Sequence, residues 1–223
     1  MIPSNYEWII NFLKRLREKE PKALADVKRI RDDYQRIVAR GHGVLAIPEH
    51  VPITFGQSTW LTIGEKYIVL ALRSEKVRTY PGYYHMIGGV PFHAKPRRAT
   101  NKMLRQNVTE ELRDELGVTG KKFTFGKPLG THITLEPEGL GLNVVQPAKL
   151  GVDAESFIRN HFRPIDPKNA DKGYSLKTSP SEAWEATHFM LIPNNPTALR
   201  AFYHRNKGKM TPVLKYTIER ILD

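Results

Sequence analysis

"NVTEELRDELGV", residues 107–118, is the stretch on which the reading of this chain turns. Three carboxylates, Glu111, Asp114 and Glu115, stand three and four positions apart just ahead of Gly117. Leu104, Val108, Leu112 and Leu116 recur at i+4, which predicts one apolar stripe on a helix over 99–116. Glu111 and Glu115 lie next to that stripe, and Asp114 lies slightly further round. The i+4 pairs Glu111–Glu115 and Glu110–Asp114 are like-charged and so destabilise a bare helix. They also crowd its C-terminus, where the macrodipole disfavours negative charge. Arg113 relieves only Glu110 from i+3. Two readings follow. The acids are a solvated helix end paired with bases elsewhere, or they form a face compensated by a hard divalent cation such as Mg²⁺.

The surroundings are α+β. Upstream, residues 3–40 carry apolar residues at helical spacing, with Pro21 separating two helices or opening the second and "RGHG" at 40–43 as the stop. From residue 51 the pattern changes to β-branched and aromatic strands, "ITFGQSTWLTIGEKYIVLALRS", with a turn at "GEK". Downstream, "KKFTFG" and "THITLE" read as short strands, and "AESFIRNHF" as a short helix inside a stretch rich in Pro, Gly, Asn and Lys that runs to about residue 180. "AWEATHFMLIP" predicts a strand with one buried face. The tail predicts two helices broken near Lys207 to Pro212.

Composition bounds the function. The chain has 223 residues and no cysteine, which excludes disulfides and thiolate metal sites and fits a reducing, cytoplasmic setting. No apolar run is long enough to span a bilayer, and the N-terminus lacks the pattern of a secretory signal. Thirty-five Lys and Arg against twenty-three Asp and Glu give a formal charge of +12, a field that attracts nucleotides and nucleic acid, RNA included. Scattered lysines that merely confer solubility account for the same number.

With "YYHMIGGV" ahead of it, the acidic helix resembles the box of the Nudix hydrolase superfamily. In that resemblance Glu111 takes the first glutamate, Asp114 and Glu115 the acidic pair, and Gly117 and Val118 the closing glycine and apolar residue. "YIVLALRS" resembles the family's strand ending in an arginine, here Arg73. The likeness covers roughly residues 55–195. Three departures stand out. Glu110 occupies the box arginine's place, and the spacing from Gly89 is longer by about seven residues, with "PFHAKPRR" containing the insertion. Lys95 and Lys102 occupy the places where the box's isolated glutamate belongs.

The resemblance implies a Nudix-like α/β/α sandwich with a mixed sheet over 44–195, an N-terminal helical extension over 1–43, and C-terminal helices packed on the core over 196–223. It implies hydrolysis of a nucleoside diphosphate linked to another moiety, with Mg²⁺ or Mn²⁺ held by Glu111, Asp114 and Glu115. Glu185 is the candidate for a further glutamate outside the box, with Glu182 beside it. Gly88 and Gly89 permit close backbone approach. Arg73, Arg97 and Arg98 are candidate phosphate ligands, and Tyr83, Tyr84 and His85 candidate stacking groups, although strand alternation puts some of these three in the core. The alternative function is a catalytically impaired Nudix-like module that senses a nucleotide or nucleic acid. The N-terminal helices are equally suited to covering the core, forming a homodimer or binding a partner.

Overall fold

The structure, a computed structural model of the full chain, describes residues 15, 18–25, 28–29, 54–77, 79–88, 101–120, 123–136 and 139–223. Two compact units are present: Met1–Phe55 with Thr131–Asn143, and Gly56–Gly130 with Val144–Asp223. In the smaller unit, residues 21–25 are helical from Pro21 onward, and Arg15 pairs with Glu20 just ahead of them. The "RGHG" stop and most of the 3–40 segment lie outside the described residues.

The larger unit carries the candidate site. Its strands are β1 (Thr54–Ile63), β2 (Tyr67–Arg73), β3 (Tyr84–His85), β4 (Phe123–Phe125), β6 (Gly139–Leu150), β7 (Phe162–Pro164), β8 (Tyr174–Leu176) and β9 (Ala186–Pro193); β5 (Gly130–Glu136) falls almost wholly in the smaller unit, as do the starts of β1 and β6. Its helices are α1 (Asn101–Leu116), α2 (Ala154–His161), α3 (Pro196–Asn206) and α4 (Pro212–Leu222). The strand order is β4-β6-β1-β2-β9-β8-β7, with β3 on β2. β2 pairs antiparallel with β1, β3 and β9, Leu61 lying opposite Val69 and Leu70 opposite Met190. β1 and β6 end side by side, with Gly64 N–H donating to Leu150 O at 2.9 Å. They therefore run in the same direction, and the sheet is mixed.

Burial explains the layering. β2 reads Tyr-Ile-Val-Leu-Ala-Leu-Arg with a continuous buried centre, as a strand covered on both faces must. Val69 and Ala71 face one core with Leu61, Ile87, Val108, Leu112, Leu116, Phe157 and Phe189. Ile68 and Leu70 face the other, with Trp60, Met190, Leu199, Phe202, Leu214 and Ile218. Thus α1 and α2 cover one face and α3 and α4 the other, the sandwich expected from the sequence. α2 is capped by Asp153, whose carboxylate accepts from Ser156 N–H at 2.8 Å, and α3 by Asn195, which accepts from Ala198 N–H at 2.9 Å. Among the described residues no helix is long and apolar enough to cross a membrane.

Three strands depart from the sequence expectation. β6, β7 and β8 all fall in the stretch read as Pro- and Gly-rich connection. In β6, Val145, Gln146, Ala148 and Leu150 are buried around Pro147. Proline and glycine signals concealed a strand that pairs through its neighbours' groups, with Pro147 O accepting from Gly126 N–H at 3.2 Å. β7 and β8 are three residues each, too short for alternation to register.

Candidate functional site

The site is built around the C-terminal half of α1. The stripe Leu104, Val108, Leu112 and Leu116 is buried, so the register of α1 on the sheet is set by hydrophobic burial. Two buried amides fix it further. Gln57 Nε2 donates to Leu104 O at 2.9 Å, and Asn107 Nδ2 donates to Gln57 Oε1 at 3.1 Å. The helix ends in an αL cap: Gly117 N–H reaches Arg113 O at 2.8 Å, and Val118 N–H reaches back to Leu112 O at 3.2 Å. Gly117 has φ +68°, the left-handed conformation such a cap requires.

This placement turns Glu115 inward, to 2% exposure. Its Oε1 accepts from Gly88 N–H at 3.0 Å, whereas Oε2 is buried without a partner among the described residues. Position 88 has to be glycine, since a Cβ there would stand 2.1 Å from Gln57 O. Thr59 N–H donates to Ile87 O at 2.6 Å and holds the segment against β1.

Burial pushes the Glu115 carboxyl well above the usual carboxylate range; the Gly88 amide and Arg73 oppose the rise, and Glu111 and Glu185 add to it. Glu111 is pushed up to about 7, chiefly by burial and then by Glu182, Glu185, Asp114 and Glu110. Glu185 is raised by burial and by Glu182, with Arg73 pulling the other way. These groups feel one another, so α1 and the turn over 182–185 contribute to one electrostatic site. That turn is anchored at both ends. Glu182 N–H donates to Asp114 O, and Ser74 N–H donates to Glu185 O, both at 2.8 Å.

Asp114 is oriented differently. Its carboxylate accepts from Arg113 Nε at 2.8 Å and Nη2 at 2.9 Å, and that guanidinium holds it below its usual range, with Ser181 assisting. Arg113, expected to relieve Glu110, is thus committed to Asp114, and Glu110 instead accepts from Gln106 at 2.9 Å. Arg73 donates through Nε to Thr79 O at 2.8 Å, and its Nη1 lies 3.4 Å from His85 Nδ1. His85 is buried, its Nε2 has no partner among the described residues, and burial together with Arg73 pulls its pKa down to about 3. Tyr84 packs edge-on against Phe202, and Tyr83 against Tyr80. Tyr84 and His85 therefore serve the core, as strand alternation anticipated. Gly89, Arg97 and Arg98, with Lys95, lie outside the described residues.

Among the described residues no three His, Asp or Glu side chains are already grouped to hold a metal ion. The donor chemistry nonetheless fits a hard cation. A buried carboxylate oxygen lacks a partner, Glu111 and Glu185 raise the proton affinity of Glu115, and Glu185 raises that of Glu111. Mg²⁺ sites take one or two carboxylates and complete their shell with water and substrate phosphate. The Gln57–Asn107 anchor was invisible in the sequence because its partners are fifty positions apart.

No protein-family model and no curated protein matches the chain. Its structure is similar to solved structures of Nudix and MutT hydrolases. The MutT protein of Methanosarcina mazei Go1 is 16% identical, with a TM-score of 0.48, over 76% of this chain and 92% of that one. A mutT/nudix family protein from Listeria innocua is 15% identical, with a TM-score of 0.44, over 75% and 90%. The NUDIX domain of Shewanella oneidensis NrtR, solved with ADP ribose, is 12% identical, with a TM-score of 0.41, over 85% and 98%. The likeness is one of fold, and the functional reading rests on the site's own residues.

Proposed function

We propose that the chain is a Nudix-type hydrolase that cleaves a nucleoside diphosphate linked to another moiety, using Mg²⁺ or Mn²⁺. The observation that carries this reading is the buried Glu115 carboxylate. One of its oxygens is fixed by Gly88 N–H and the other has no partner, with Glu111 and Glu185 close enough to raise its pKa. Burying such a carboxylate uncompensated costs several kcal/mol by general estimates, roughly, and a bound cation removes that cost.

Glu111 and Glu115, on one face of α1, would hold the cation, and Glu185 would complete or flank the set. Bound there, a divalent ion supplies neutralisation of the diphosphate and activation of a water. The chain's own groups do the positioning. Gly88 N–H fixes Glu115 Oε1 and leaves Oε2 available. Burial keeps bulk water from screening the carboxylates. Without a cation, burial and the neighbouring acids push Glu111 up to about 7, a repulsion that a bound cation would relieve. Asp114, held by Arg113, would orient the helix end and so act on the site from outside. Arg73 would moderate the negative charge from its seat on Thr79.

The test is a hydrolysis screen over nucleoside diphosphate derivatives with Mg²⁺ or Mn²⁺, run for the wild type, Glu111→Gln and Glu115→Gln. Metal-dependent products that both variants greatly reduce support the reading. The second reading, a nucleotide sensor without turnover, is favoured by Asp114 being committed to Arg113 and by Glu110 in the place of an arginine. Nucleotide binding without products, unaffected by Glu115→Gln, would establish it in place of catalysis.

A further inference from the structure

A second charged region lies on the larger unit, where α2 runs into β7. The helix ends at His161, and the next residue, Phe162, both caps it and opens the strand. This brings Arg159 from the last turn of α2, Arg163 from β7 and Lys177 from just past β8 to one open groove of about 600 Å³. β7 is the outermost strand in the sheet order, so no further strand covers that side among the described residues. Lys177 is pinned to the helix end, its amide donating to His161 O at 2.9 Å and its Nζ to Arg159 O at 2.5 Å.

Some exposed cations of this unit pair with acids: Lys66 with Glu155, Lys149 with Glu65, Lys172 with Asp166, and Arg205 with Asp171. Neither Arg159 nor Arg163 has a side-chain partner among the described residues. Glu155, the one acid lining the groove, lies 3.6 Å from Lys66 Nζ and accepts from Tyr67 OH at 3.3 Å, so its charge is already committed. The remaining wall is apolar: Ile158, Phe162, Pro164 and the ring of Tyr174. Guanidiniums without partners select phosphate, which their planar forks grip bidentately. Apolar and aromatic surface beside them is of no use to a free phosphate, but it accommodates the face of a nucleobase. The volume suits a ligand of one or two nucleotides.

We infer that this groove binds a short stretch of single-stranded polynucleotide, its phosphates on Arg159, Arg163 and Lys177 and a base against Tyr174. The inference is independent of the carboxylate site, since it uses none of its residues.

The test is fluorescence anisotropy of a labelled twelve-nucleotide oligouridine, at several salt concentrations between about 50 and 200 mM. Wild type, Arg159→Ala/Arg163→Ala, Arg159→Glu/Arg163→Glu and Glu115→Gln are compared, with thermal melts to verify folding. Both arginines are exposed and unpartnered, so the alanine pair leaves the fold intact even where the glutamate pair does not. The double variants are expected to bind at least about tenfold more weakly, with a salt slope shallower by roughly 1.4, as two lost phosphate contacts on a single strand require. Glu115→Gln is expected to bind like wild type. Unchanged affinity and slope in the arginine variants overturn the inference. So does displacement of the oligonucleotide by inorganic phosphate at equal phosphate concentration, which would make this a small-anion site.

Discussion

α1 and α2 end with contrasting charges, α1 in a left-handed Gly117 and α2 in an extended Phe162 that opens β7. The last turn of α1 carries Glu115 and Asp114, against the macrodipole; that of α2 carries Arg159 and His161, in favour of it. The difference in burial is as large. Glu115 is withdrawn from water with one oxygen unpaired, whereas Arg159 is exposed. A solvated cation at a helix C-terminus costs nothing and by itself means little. A buried carboxylate there is expensive, and its presence calls for a compensating partner. The acidic site is marked by that cost, and the basic groove by the convergence of Arg159, Arg163 and Lys177 on one open wall.

The largest effect expected from breaking this contrast is at Glu115. Glu115→Gln should lower metal-dependent turnover by at least about a hundredfold. It should also raise the melting temperature of the metal-free protein at pH 8, because a neutral amide is cheaper to bury than a carboxylate. A variant that is both less active and less stable would show that Glu115 serves the fold. Next comes Gly88→Ala. The added Cβ meets Gln57 O, so a loss of about 1–3 kcal/mol in urea unfolding is expected, together with loss of activity. Full stability in this variant would mean that the segment yields, and that Glu115 is not held where described. The arginine pair follows, at about tenfold in oligonucleotide affinity and with unchanged turnover on small substrates. If turnover falls with affinity, the two regions are coupled and the contrast drawn here fails.

The smallest effect is in pH dependence. Glu111 has a folded pKa of about 7 against an ordinary value near 4.5, so the folded state binds more protons between them. Its contribution to stability is then fully present below about pH 4.5 and is lost as pH rises through about 7. His85 acts in the opposite direction. Its folded pKa is about 3, so stability is lost as pH falls from 6.5 towards that value. The two are separated by subtraction: wild type minus Glu111→Gln, measured by urea unfolding at pH 5 and pH 8 without divalent ions. The wild type should lose ground to the variant at the higher pH, and a flat difference would remove the argument that Glu111 is electrostatically strained.

Much of this was legible in the residues. The i+4 leucines placed α1 and its buried face, and the like-charged pairs pointed to Glu111 and Glu115 before any fold was known. Glu185 was reachable because it stands at the start of a strongly apolar strand. What could not be read were long-range pairings. Gln57 with Asn107, and Glu182 with Asp114, join residues whose sequence neighbours give no sign of each other. β6 was hidden by Pro147, which removes the pattern on which strand recognition depends. Asp114 shows a different limit. Its spacing is that of a ligand, but an adjacent arginine takes it, and adjacency on a helix does not announce which rotamer wins.

The burial of His85 has a spectroscopic consequence. With Arg73 Nη1 donating to Nδ1, the ring must carry its proton on Nε2, the nitrogen enclosed without a partner. An imidazole with a pKa near 3 keeps that tautomer across the whole range in which enzymes are assayed. Its ring nitrogen resonances should stay fixed across that range. His85 thus reports on the Arg73 guanidinium, whose charge also acts on Glu115 and Glu185.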